Sequence, residues 1–146
     1  MDLFCISLTL HYVAFGEHRL RFGNKNILDL FCISLTLHYL CDMKYAQVID
    51  NIKKVAHNVL PSGSSLYLYG SRARGDAREG SDWDLLILLD KPKLDADDYD
   101  ITYPFREFGW DNGEEISPHI YTKKQWKEWT FLPYRKNVER DKIVLL

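Results

Sequence analysis

The sequence predicts an α/β (α+β) domain, a small mixed β-sheet with helices packed on it. Three observations carry that expectation. Ala46, Ile49, Ile52, Ala56, Val59 and Leu60 recur at three- and four-residue spacing, with Val48 and Val55 widening the stripe, as an amphipathic helix requires. The apolar runs Leu66 to Tyr69 and Leu85 to Leu89 are too short for typical helices and fit strands, the second a buried one. Glu114 to Tyr121 alternates with period two, placing Ile116 and Ile120 on one face and Glu115, Ser117, His119 and Tyr121 on the other.

The 146 residues leave room for one domain, and 46% apolar with 14% aromatic residues suffices for a core. A formal charge of −2 gives no basic excess for general nucleic-acid binding. No apolar run approaches the roughly 20 residues that span a bilayer, so no membrane association is expected. Cys5, Cys32 and Cys41 lack CxxC or Cys/His ligand spacing. Neither a disulfide framework nor a zinc site follows, and a cytoplasmic location is expected.

Asp2–Tyr12 and Asp29–Tyr39 both read DLFCISLTLHY, identical over eleven residues at a spacing of 27. Two identical copies beside an unrepeated domain point to a recent duplication or to upstream sequence read from a wrongly assigned start. The alternative is a genuine N-terminal extension. Residues 1–42 are therefore expected to be non-native or poorly ordered, and 43–146 to form the domain. Each copy alternates, as in Ile33 to His38, which predicts a hairpin or an addition to a sheet edge. From Met43 the helical stripe runs to Leu60, where Pro61-Ser62-Gly63 ends it.

The chain is organised around Leu66 to Asp90, LYLYGSRARGDAREGSDWDLLILLD. A strand leads to Gly70-Ser71, then a segment Arg72 to Arg78 able to form a short helix, then Ser81-Asp82-Trp83-Asp84 and a second strand. Glycine at a strand-to-helix junction admits a ligand close to the backbone, and free N–H groups there attract phosphate. Asp82 and Asp84 are two residues apart, so on a strand their carboxylates share a face while Trp83 turns to the core. Paired hard oxygens suit Mg²⁺, which uses one or two protein carboxylates and completes its shell with water and phosphate.

Beyond this stretch, Leu94 to Trp110 reads as a helix opening near Asp95 or Asp97, where acidic residues suit the positive helix end, and split or kinked at Pro104. Tyr99, Tyr103, Phe105, Phe108 and Trp110 are expected mainly in the core. Pro118 argues for an edge position or a bulge. Thr122 to Gln125 fits a capping box opening a helix with Trp126 and Trp129, and Pro133 to Leu146 a short helix with an extended tail.

Gly70-Ser71, the ten residues Arg72 to Ser81, then Asp82-Trp83-Asp84 resemble the signature of the DNA polymerase β-like nucleotidyltransferase superfamily, in particular its minimal single-domain branch. The resemblance implies two Mg²⁺ ions on Asp82 and Asp84, and nucleoside triphosphate phosphates on Gly70 and Ser71. It implies a triphosphate contact for Arg74, while Arg72 and Arg78 have weaker claims to one or are simply solvated, and Ser81 orients Asp82 or touches phosphate. The superfamily's third acid falls at or near Ser117, which is no carboxylate. Glu115, one pleat earlier on the same face, is the candidate substitute, and His119 a second candidate base. Similar minimal proteins act as antitoxins beside helical HEPN-type ribonucleases. The implied function is AMP transfer from ATP to a hydroxyl of such a partner. The alternatives are a catalytically impaired module that binds nucleotide or partner, and transfer to a small molecule or an RNA end. The oligomeric state stays open.

Overall fold

The computed structural model describes residues 21–22 and 25–146, with side chains from Cys32 onward except His38. The chain divides into two compact units, Met1–Gln47 and Val48–Leu146. In the first, β1 (Arg21–Phe22) and β2 (Lys25–Asn26) pair antiparallel and lead into α1 (Ile27–Val59). The expected hairpin or sheet edge is overturned for the second repeat copy, because Asp29–Tyr39 lies inside α1, which starts at Ile27 rather than Met43. Six alternating residues do not distinguish the two periods, and no Gly or Pro interrupts the run into the strong helix beyond. Thr36 adapts by donating its hydroxyl to the Cys32 carbonyl at 2.8 Å, one turn back. The first copy lies outside the described residues.

In the second unit, α1 buries Val48, Ile52 and Ala56 and stops ahead of Pro61. The sheet contains β3 (Ser65–Tyr69), β4 (Trp83–Leu89), β5 (Ile116–Thr122) and β6 (Ile143–Val144), in the order β5-β4-β3-β6. β3 is antiparallel to β4, with Tyr69 opposite Asp84, and β5 is parallel to β4, with Asp84 opposite Ser117. The expected tail is a strand, β6, paired antiparallel with β3. The mixed α/β architecture matches the expectation, and its strand alternation explains the core. Leu66, Leu68, Trp83, Leu85, Ile87 and Leu89 are buried on one face, while Tyr69, Leu86 and Leu88 form the opposite cluster with Trp126 and Val138.

A parallel β4-β5 pair requires a crossover. It consists of a 3₁₀ turn, Asp97–Thr102, and the helix Tyr103–Asn112. The predicted single helix is thus split at Pro104, which sits in the first turn where its missing N–H is harmless. Asp98 is buried, paired with Lys91 at 2.7 Å and accepting from the Asp95 N–H at 2.8 Å, so it closes the loop rather than only complementing a helix dipole. Phe105 is buried, but Tyr99, Tyr103 and Trp110 are exposed, against their expected core role. β5 starts two residues later than the pattern suggested, and Pro118 lies on the sheet's edge strand.

The Thr122 capping box is present: Thr122 Oγ1 accepts from the Gln125 N–H and Gln125 Oε1 from the Thr122 N–H, both at 3.0 Å. It opens the helix Lys123–Glu128, followed by the helix Pro133–Asp141. Thr122→Ala should cost about 1 kcal/mol and lower the melting temperature by roughly 4–8 °C, read by scanning calorimetry. No helix among the described residues is long and apolar enough to cross a membrane.

Candidate active site

β3 ends at Tyr69, and Gly70–Arg74 forms the short helix α2; the crossover helix Tyr103–Asn112 is α3, and α4 and α5 are Lys123–Glu128 and Pro133–Asp141. Gly70 has φ +74°, and a side-chain carbon there would collide with Asp84 Oδ2 and come within 3.2 Å of Asp84 Cγ. The glycine is therefore demanded by the Asp84 carboxylate itself, as well as allowing a ligand to approach. The Gly-Ser turn and the second acid of the Asp-x-Asp pair form one surface.

Arg72 fixes the loop between them. It donates from Nε and Nη2 to the Ser81 carbonyl at 3.1 and 2.8 Å, and its guanidinium lies 4.7 Å from the Trp83 ring centroid. Nη2 is also 3.6 Å from Glu114 Oε2, which accepts from Trp83 Nε1 at 2.9 Å. Arg72 is thus a structural pin and not the solvated arginine expected. Ser81 Oγ accepts from the Arg78 N–H at 2.8 Å, which ties the residue to the loop while its O–H can still donate. Arg72→Ala should destabilise by roughly 2–3 kcal/mol, from a charged hydrogen bond and a cation–π contact. Denaturant melts measure that loss, and ATP affinity reports the freed loop.

Asp82 precedes β4 and is exposed, so the shared-face argument holds only from Trp83 onward. Burial raises the Asp84 pKa, and the negative charge of Asp82 raises it further, against the pull of His119 and Arg74. Ser117 sits beside Asp84 in the ladder. Glu115 precedes β5, accepts the Trp83 N–H through its carbonyl at 2.8 Å and has an exposed side chain. His119 Nδ1 is 3.0 Å from the Tyr69 hydroxyl, which is 2.9 Å from the Tyr134 hydroxyl. Burial pushes Tyr69 up to about 12. This Tyr134-Tyr69-His119 chain joins β3, β5 and α5 around Asp84. Tyr69 could have been noticed as the residue leading into Gly70, but nothing local marks Tyr134.

Arg74 is held by Asp141 at 3.0 Å and by Asp76. The Asp141 carboxyl is pulled down to about 2, mainly by Arg140 and also by Arg74. These carboxylates would compete with a phosphate for Arg74.

Two repelling carboxylates, one of them half-buried, suit a divalent cation. Among the described residues no group of three or more His, Cys, Asp or Glu side chains could enclose a metal.

A four-stranded mixed sheet carrying a Gly-Ser turn against an Asp-x-Asp carboxylate defines the class of a phosphate-handling transferase. The nucleotidyltransferase domain model matches residues 49–146, and the chain belongs to that family. A chain in a crystal structure of a toxin-antitoxin with AMP-PNP shares the fold, with TM-score 0.50 at 16% identity over 67% of this chain and 72% of that one. No curated protein matches the chain.

Proposed function

We propose that this chain is a Mg²⁺-dependent nucleotidyltransferase that moves AMP from ATP to a hydroxyl of a protein partner. The partner would be a helical HEPN-type toxin, with this chain as antitoxin. The observation that carries the reading is the contact between Gly70 and Asp84, which leaves phosphate-binding backbone and metal-binding carboxylate on one surface. The toxin-antitoxin with AMP-PNP that shares the fold supports a protein partner and an adenine nucleotide; the HEPN-type identity of that partner rests on the sequence resemblance.

In this mechanism Gly70 and Ser71 cradle the β- and γ-phosphates, and Arg74 adds charge after leaving Asp141. Asp82 and Asp84 would hold Mg²⁺, which when bound neutralises phosphate charge. Glu115 takes the proton of the attacking hydroxyl. The catalysis lies in positioning and electrostatic stabilisation. Glu115→Gln should slow transfer by about 10²–10⁴-fold, and adding Ser117→Asp, opposite Asp84, should restore part of the rate; initial rates of AMP incorporation measure both.

A second reading has one observation in its favour: Ser117, no acid, occupies the ladder position beside Asp84. It makes the chain a partner-binding module of impaired catalysis. Mass spectrometry of a co-expressed HEPN-type toxin separates the two. An AMP mass gain lost in Asp82→Asn and Asp84→Asn supports the enzyme. Neutralisation without mass gain supports the module.

A further inference from the structure

The 3₁₀ turn Asp97–Thr102 and α3 carry three aromatic side chains that the core does not take. Tyr99, Tyr103 and Trp110 are 57%, 55% and 60% exposed, while Phe105 is buried on the inner side of the same helix. Tyr103, Glu107, Trp110 and Asp111 follow one another at the spacing of a single helix face, and Tyr99 and Asp100 lie one turn before Tyr103. Rings and carboxylates thus alternate along one exposed stripe. We propose that this stripe imitates a stretch of single-stranded RNA, its carboxylates standing for phosphates and its open rings for bases, and that it docks on the basic surface with which a partner protein holds RNA. The proposal takes its partner from the antitoxin reading above, on which it rests, and names the surface and the chemistry of the contact.

Exposure argues first. A single ring at the surface is ordinary, whereas three along one stripe mark a contact surface. Tyr103 and Trp110 meet edge to face at 6.1 Å, which leaves most of both rings to solvent. Open ring faces take a cation or another planar group. The stripe is also rigid. A side chain on Gly109 would run into the Glu114 carbonyl and Ile116, so α3 is seated tightly, and the buried Asp98 ties the 3₁₀ turn to Lys91. Little ordering cost is left for docking.

Charge chooses the occupant. Asp100, Glu107 and Asp111 are exposed, and none takes part in an ion pair among the described residues. Carboxylates set between rings repel RNA and anionic lipid, and they attract arginine, which also stacks on aromatic faces. A surface that holds RNA supplies both halves of this fit, cations for phosphates and planar groups for bases. A second copy of the chain fits less well, because its basic helices are already engaged: Lys124 pairs with Glu128, Arg140 with Asp141 and Lys142 with Glu139. Trp110 also lines the cavity over β5 beside the catalytic residues, so the test uses Tyr103 and Glu107, which stand outside that lining.

The probe is a capped, arginine-rich helical peptide that binds single-stranded RNA, beside its lysine counterpart. The full chain is titrated into each at physiological salt, and fluorescence anisotropy is read. The chain should bind the arginine peptide more tightly than the lysine one and displace labelled RNA from it. Tyr103→Ala should weaken binding about 2–5-fold, the scale of an exposed cation–π contact. Glu107→Lys should weaken it about tenfold or more, the scale of like charges brought together. Asp50→Lys, the same charge change exposed on α1, should cost less than about twofold because a distant charge is screened. Asp84→Asn should dock as the wild type does. Equal losses in Glu107→Lys and Asp50→Lys overturn the proposal, since general acidity would then be the cause. So does peptide binding without displacement of RNA, or binding of RNA or phosphatidylserine vesicles by the chain itself. Self-association in sedimentation that Glu107→Lys abolishes would give the stripe to a second copy and overturns it too. Absence of peptide binding with AMP transfer intact removes the docking surface and leaves the transferase standing. Docking without ATP binding removes the transferase and leaves the surface.

Discussion

Gly70→Ala is expected to lower AMP transfer by at least about 100-fold, the scale of losing one preorganised stabilising group, while the domain stays folded. Two effects act at this position. The left-handed φ of +74° costs a non-glycine residue about 1–2 kcal/mol. The new carbon also needs the space of the Asp84 carboxylate, with the Asp84 Cβ already at 3.4 Å. The carboxylate is the end of a side chain and is the part that yields. Asp84 turns away, so the site is dismantled more than the fold. Gly75→Ala is the control, because Gly75 has φ +79° and nothing within 4 Å of the added carbon. It carries the same backbone penalty without the collision. Scanning calorimetry should give both variants similar melting temperatures, and transfer rates should separate them.

Asp84→Asn should abolish metal-dependent ATP binding and lower transfer by about 10²–10³-fold or more, yet leave stability equal or raised. Burial and the neighbouring Asp82 lift the Asp84 pKa, so the folded state disfavours its charged form. A raised carboxyl pKa means that the charge destabilises the fold above that pKa and is relieved as pH falls through it. The neutral amide removes this penalty at pH 7 while keeping the shape. A site held at the expense of stability is what function demands and packing does not. EDTA should reproduce the loss of binding in the wild type without altering the fold.

The pattern of residues made the centre of this fold legible. The short apolar runs at Leu66–Tyr69 and Leu85–Leu89 became β3 and β4, and the capping box at Thr122 is formed. What escaped depends on partners distant in the chain. The role of Arg72 needs Glu114, brought near by the parallel register of Trp83 with Ile116. The Tyr69–Tyr134 contact spans 65 residues. Arg74 carries no local sign that Asp141 will hold it. The repeat copy misled for a different reason: a short alternating run is as compatible with a helix as with a strand, and the adjoining helical stripe decided it. The exposed Trp110 and Tyr103 show the limit of composition, since aromatic content says nothing about which rings meet solvent.

Titration calorimetry of ATP into the full chain with Mg²⁺, wild type beside Asp84→Asn, tests the site most directly. The account predicts binding to the wild type that requires Mg²⁺ and disappears in the variant. ATP binding that survives both the substitution and removal of Mg²⁺, or no binding by the wild type, would contradict it.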